Sequence, residues 1–227
     1  MVETFLAQRV ADHPGGNRVP GACARGDRGS AGTLMRLPGS GLWSYLYTPK
    51  VLLSQFCANL ARVWAERGYE QGVRLGPIDQ LMRYFTGDSA CLPCIWLQNC
   101  TDEFVSIDAR GHVAQCDCWV TSYPDYWFEN IFDDVSFTEL MQQSQARQRF
   151  QARPEVLIQH ESCAECDYLS ICHGGCPVRT YAITGEFFVK DPYCKVYKAL
   201  FATIEELAAQ MASVRSRRLL PVLQGHG

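Results

Sequence analysis

The chain has 227 residues, 47% of them hydrophobic and 20% charged, with a formal net charge of −3. It is long enough to bury a core in one or two domains, and it has no global basic field to recruit nucleic acid or an anionic membrane. No apolar run reaches the ~18 residues of a membrane span, and the N-terminal stretch MVETFLAQRVADHPGG lacks the basic-then-apolar order of a secretory signal, so the expectation is a cytoplasmic protein.

Residues 1–47 are rich in Gly, Arg, Ser and Pro and have neither helical nor strand period. They read as a disordered or non-native extension. Order is expected from Thr48 and Pro49, an N-cap followed by a first helical residue. Leu52, Leu53, Phe56, Leu60, Val63 and Trp64 then recur on one face until Gly68. Cys57, on that helix, reads as a small buried hydrophobe. A second helix is expected from Pro77 to Phe85, with Ile78, Leu81 and Met82 apolar.

A hairpin follows. Phe104, Val105 and Ile107 read as a strand, Asp108 to Gly111 as the turn, and His112 to Asp117 as the return strand. Ser136 and Glu139 fit a capping box that opens another helix. The segment from His160 to Tyr193 is rich in Cys, Gly and Pro and has little period, so it needs something besides apolar burial to order it. A last helix is expected from Tyr193 to Met211, with Val196, Leu200, Ile204 and Leu207 helically spaced, before a basic, frayed tail over 214–227.

Twelve cysteines dominate the chemistry. A disulfide scaffold suits small secreted domains, whereas clustered cysteines in a reducing compartment more often bind metal. One group runs Cys94-x5-Cys100, then Gly111-x4-Cys116; the other runs Cys163-x2-Cys166-x5-Cys172-x3-Cys176, with Cys194 after seventeen intervening residues. Thiolates suit zinc or iron–sulfur centres. Two four-coordinate sites need eight ligands, and the groups supply three and five, so one cysteine of the second group is expected to cross to the first. Cys91 and Cys118 leave an alternative open, because either could complete a first site locally.

The pattern Cys100-x10-Gly111-x4-Cys116, Cys163-x2-Cys166-x5-Cys172-x3-Cys176, Cys194 resembles the seven-cysteine signature of the SPASM domain. That domain is the C-terminal extension of many radical SAM peptide and protein maturases. With Cys94 added, the chain resembles the anaerobic sulfatase-maturating enzymes and related peptide-modifying enzymes. The resemblance implies an α+β fold: a small irregular SPASM domain over 91–213, with a β-hairpin and helices organised around two 4Fe-4S clusters. The helices over 48–90 would be a remnant of the end of a radical SAM region. It also implies ligands. Cys94, Cys100, Cys116 and Cys176 would hold the first auxiliary cluster, and Cys163, Cys166, Cys172 and Cys194 the second. Asp117 stands where the sulfatase-maturating enzymes carry a proposed proton acceptor; the competing reading is a strand-end Asp bonded to local amides.

The family's Cys-x3-Cys-x2-Cys motif, which holds the cluster that cleaves S-adenosylmethionine (SAM), is absent. The stretch before Cys91 is also short of the ~250 residues of a complete (β/α)8 barrel. The expectation is therefore a cluster-binding part of a maturase, truncated and unable to cleave SAM alone. The auxiliary clusters would serve electron transfer or substrate positioning. The implied partners are a peptide or protein substrate, a reducing electron donor and, in the alternative of a stand-alone SPASM protein, a separate radical SAM subunit. A zinc-stabilised binding module is the remaining alternative. His112, His160 and His173 read as surface or supporting residues. Gly174 and Gly175 read either as a close approach to cluster sulfurs or as a plain tight turn. Tyr123, Tyr126, Trp127 and Phe128 read as core or as a channel lining.

Overall fold

The computed structural model describes residues 49–88, 91–160 and 163–219. Thr48, Cys23, the expected extension over 1–47 and the last part of the basic tail lie outside the described residues. The chain is α+β and mostly helical, with one small sheet. It divides into two compact units, one containing residues 94–192 and the other the segments on either side.

The second of these units is helical. Helix α1 (Lys50–Arg67) follows Pro49 at the N-cap, and Gly68 caps its C-terminus. Helix α2 spans Ile78–Phe85, and the final helix, α8, spans Cys194–Leu219. Both α1 and α2 pack on α8. The α1 face differs from the expected one. Ala58, Ala61 and Trp64 are buried, whereas Leu52, Phe56 and Val63 are 56%, 60% and 49% exposed. Two alanines let the α1 backbone approach α8 closely, where Val196, Leu200, Phe201 and Ile204 are buried. Trp64 fills the end of that seam and donates its indole N–H to Val73 O at 2.9 Å. Cys57 is only half-buried. The last helix runs beyond Met211 through part of the basic tail, because Val214 to Leu219 offer good helix formers and no Gly or Pro.

The unit over 94–192 holds the sheet. Strands β1 (Ser106–Ile107) and β2 (His112–Ala114) form the expected hairpin, pairing Ser106 with Ala114 and Ile107 with Val113. The Asp108 carboxylate closes the turn by accepting from the amides of Arg110 (2.8 Å) and His112 (2.9 Å). A third strand, β3 (Glu129–Asn130), pairs antiparallel with β2. The return strand is shorter than expected. It stops at Ala114, and Cys116 becomes the N-cap of helix α3 (Asp117–Ser122).

Helix α4 (Phe137–Gln143) leads into α5 (Gln145–His160), and the cysteine-rich stretch forms two short helices, α6 (Leu169–Cys172) and α7 (Pro177–Thr184). Their common core is aromatic. Trp119 is fully buried and meets the rings of Tyr123, Tyr126, Phe150, Tyr181 and Phe187 at centroid distances of 4.4–5.9 Å. Tyr126 and Phe128 are buried here as core, not as a channel lining.

The capping box forms as the sequence suggests. Ser136 Oγ accepts from the Glu139 amide at 3.2 Å, and the Glu139 carboxylate accepts from the Ser136 amide at 3.0 Å. These bonds from Ser136 hold the Glu139 carboxyl below its ordinary value of 4.5. A depressed acid stabilises the fold above its unfolded pKa, and that contribution fades as pH falls through the folded value. Amide exchange at the start of α4 is therefore expected to accelerate as pH is lowered below about 4.5, beyond the intrinsic trend. Glu139→Gln should remove that extra dependence; an unchanged profile in the variant would disprove the assignment.

Candidate metal centre

Four thiols of the 94–192 unit are carried by separate elements and are linked electrostatically. Cys94 and Cys100 each open a short 3-10 turn, Cys116 caps α3, and Cys176 caps α7. The Cys176 charge acts on Cys94, Cys100 and Cys116, and the Cys94 charge acts on Cys100. Each thiol is held in its neutral form. Burial, with the Cys176, Asp117 and Cys118 charges adding, pushes Cys94 up to about 11. Burial, then Cys176 and Cys94, pushes Cys100 up to about 12. Cys116 is raised well above 9.0 by its hydrogen bond with the Cys118 thiol, then by burial and the Cys118 charge. Burial raises Cys176, against the opposing charge of Arg179.

Local bonds set each position. Asn99 caps the Cys100 turn by accepting from Thr101 N at 3.1 Å. Gln115, fully buried, donates to Cys100 O (2.6 Å) and Phe104 O (3.1 Å), tying the Cys100 turn to the residue before Cys116. Its own Oε1 has no hydrogen-bond partner. Cys176 is held through its amide, which donates to the buried Asp191 carboxylate at 2.9 Å. Arg179 donates to the same carboxylate through Nε at 3.1 Å. Sequence reading did not single out Gln115 or Asp191; a Gln in an apolar strand and an Asp in a Cys-rich loop were the available signals.

The turn before Cys176 has a specific geometry. His173, Gly174 and Gly175 adopt φ values of +48°, +83° and +76°. A Cβ on Gly174 would lie 2.3 Å from Leu157 Cδ1, and one on Gly175 would lie 2.5 Å from Asp191 Cβ. Protein neighbours thus account for both glycines. The amides are also engaged: Gly175 N–H donates to Cys172 O and Cys176 N–H to Asp191. His112 is committed elsewhere, bonded through Nδ1 to Asp108 at 2.9 Å and stacked on Trp127 at 3.6 Å.

Asp117 is the exposed first residue of α3, not a strand-end residue, and its Oδ1 accepts from Cys118 N at 2.9 Å. The ligand atoms of Cys116, Asp117 and Cys118 lie within 4.8 Å of one another, the one such trio among the described residues. Of the second group, Cys163 is buried, and Cys166 and Cys172 are half-buried around the turn that leads into α6. Cys194 is the first residue of α8 and belongs to the helical unit, as does Cys91.

This donor set fits a thiophilic centre. Cys116 and Cys176 pack against the aromatic core, and Arg179 and Arg153 supply positive charge to the Cys176 thiol. Because the fold favours neutral thiols, metal uptake must release protons. The Gly175–Asp191 contact gives a direct test of the Cys176 mount. Gly175→Ala must leave the left-handed region or displace Asp191, and should destabilise the protein by at least ~1–2 kcal/mol in chemical denaturation. A variant as stable as the parent would show that the contact does not hold Cys176.

No family model matches the chain. The PqqA peptide cyclase of Bradyrhizobium diazoefficiens is 28% identical over 118 residues, which is 52% of this chain and 30% of that protein. An uncharacterized protein of Archaeoglobus fulgidus is 38% identical over 48 residues, covering 21% of this chain and 12% of that protein. Among solved structures, anSMEcpe with bound AdoMet and the Cp18Cys peptide aligns with a TM-score of 0.54 and 23% identity over 72% of this chain and 44% of that one. The same enzyme with the Kp18Cys peptide aligns at 0.54 and 21%. The chain spans less than half the length of each of these relatives, and the structural likeness is one of fold. Among the described residues no helix is long and apolar enough to cross a membrane. On its fold and on these likenesses, the chain resembles the radical SAM/SPASM proteins.

Proposed function

We propose that this chain is an iron–sulfur-binding SPASM module of a radical SAM system that modifies a peptide or protein. The observation that supports the reading is the electrostatic influence of Cys176 on Cys94, Cys100 and Cys116, thiols carried by separate elements. Those four residues would hold one four-iron cluster, and Cys163, Cys166, Cys172 and Cys194 a second. The two clusters would supply electron transfer or help to position the substrate. All eight ligands are thiolates, so no iron is left open for direct substrate ligation.

The remaining chemistry belongs to the chain's own residues. Asp191 and Arg179 hold Cys176 through its backbone amide. Gln115 keeps the Cys100 turn against β2. Asp117 is the candidate proton acceptor: it is exposed, its Oδ1 is anchored by the Cys118 amide, and its second oxygen has no hydrogen-bond partner among the described residues. A peptide substrate is supported by the peptide-acting relatives, PqqA peptide cyclase and peptide-bound anSMEcpe. SAM cleavage requires a unit bearing Cys-x3-Cys-x2-Cys, either continuous with this module or a separate subunit, since this sequence lacks the motif.

Anaerobic reconstitution should give brown protein with about eight iron and eight sulfide per chain. A colourless chain with stoichiometric zinc would overturn the iron–sulfur reading in favour of a zinc-stabilised module. Cys176→Ala should lose one cluster and Cys194→Ala the other, each leaving about four iron. Both clusters surviving in Cys194→Ala would favour a local ligand set. The reconstituted chain mixed with SAM and a strong reductant should release no 5′-deoxyadenosine; its release, followed by chromatography, would contradict the division of labour.

A further inference from the structure

Arg153 presents a problem of charge. It lies on α5 and is only 4% exposed. Its guanidinium donates to the carbonyls of Phe187 (2.9 Å), Val189 (2.9 Å) and Gly175 (3.2 Å) and to Thr180 Oγ1 (3.4 Å). Among the described residues no carboxylate lies within ion-pair distance of it. The buried carboxylate nearby, Asp191, is already paired with Arg179. Carbonyl dipoles solvate a guanidinium but do not cancel its charge, and one Asp191 carboxylate, which acts on both Arg179 and Arg153, offsets only one of the two cations. The fold therefore places a net positive charge where some anion must answer it.

The hydrogen bonds of Arg153 place it against the loop that carries Cys176. Gly175 O lies in the spacer between Cys172 and Cys176, the link between the two thiol groups. The Arg153 charge interacts with Cys176 and Cys100 of the first group and Cys163 of the second, as well as with Asp191. We propose that Arg153 is a positioning residue that serves as the shared counter-cation of both thiolate sites and raises the reduction potential of each. The inference rests on the iron–sulfur reading. Reduction adds negative charge to a site, so a fixed buried cation favours the reduced form, the more strongly for the low local dielectric. Arg179 offers an internal contrast. It is more exposed, its charge is matched by Asp191, and it acts on Cys94 and Cys176 of the first group. Its influence should be confined to one site.

The test is an EPR-monitored redox titration of the anaerobically reconstituted full chain, with iron and sulfide counted beforehand. Arg153→Gln is expected to lower both midpoint potentials, Arg179→Gln to lower one, and Arg153→Lys, which keeps the charge, to stay near the parent at both. Arg153→Gln with either potential unchanged overturns the proposal. If Arg153→Gln takes up no iron, Arg153→Lys decides: loading both clusters at parental potentials supports the shared charge, and an equally iron-free lysine variant overturns it in favour of a purely structural clip. A parent chain that binds no iron instead overturns the iron–sulfur reading itself, and that result is visible before any titration begins.

Discussion

The Cys176 backbone is fixed by a buried carboxylate that accepts its N–H. Asp191 makes that bond fifteen residues along the chain, and the bond closes the loop that carries α7. The loop has little apolar surface to drive its folding, so charge and hydrogen bonding do the ordering. Arg179 neutralises Asp191, Gly175 leaves room for it, and Arg153 gathers the carbonyls at both ends of the same loop. Removing any one of these groups exposes the others to an unmet cost, since each is buried or partly buried. The arrangement is cooperative and should be lost as a unit.

A rigid apolar body supports this polar apparatus. Trp119 follows the Cys116-Asp117-Cys118 run by one residue and sits at the centre of the aromatic core. Helix α3 therefore begins at the thiol edge and is pinned at its first turn by a fully buried indole. Phe187 joins the same core from the loop that Arg153 clamps. Thiol positions are thereby coupled to ring packing, and close packing tolerates little displacement.

Much of the framework was legible in the residues. The hairpin follows from apolar alternation around Asp108 to Gly111, and the capping box follows from Ser136 and Glu139, because both are local signals read within a few residues. The helical period of α8 was equally plain. The face of α1 was not, since Leu52, Phe56 and Val63 share the helical period with Trp64 while the buried seam uses Ala58 and Ala61. Periodicity reports where apolar side chains recur, not which neighbour is available to cover them. The return strand was drawn too long for a similar reason: the pull of Trp119 into the core turns the chain into a helix at Cys116, and that pull is tertiary.

By itself the sequence supplied the candidate chemistry, eight cysteines at spacings that suit soft metal centres and no Cys-x3-Cys-x2-Cys motif. It left open whether Cys176, Cys91 or Cys118 would join Cys94, Cys100 and Cys116, because counting ligands does not locate them. Only the tertiary structure shows that Cys176 and Cys118 both act electrostatically on thiols of that first group, and discloses the residues that fix the Cys176 backbone. Gln115, Arg153 and Asp191 carry no motif. Their roles come from burial, which makes each polar group seek its partner across tens of residues, and such pairings exist only once the chain has folded.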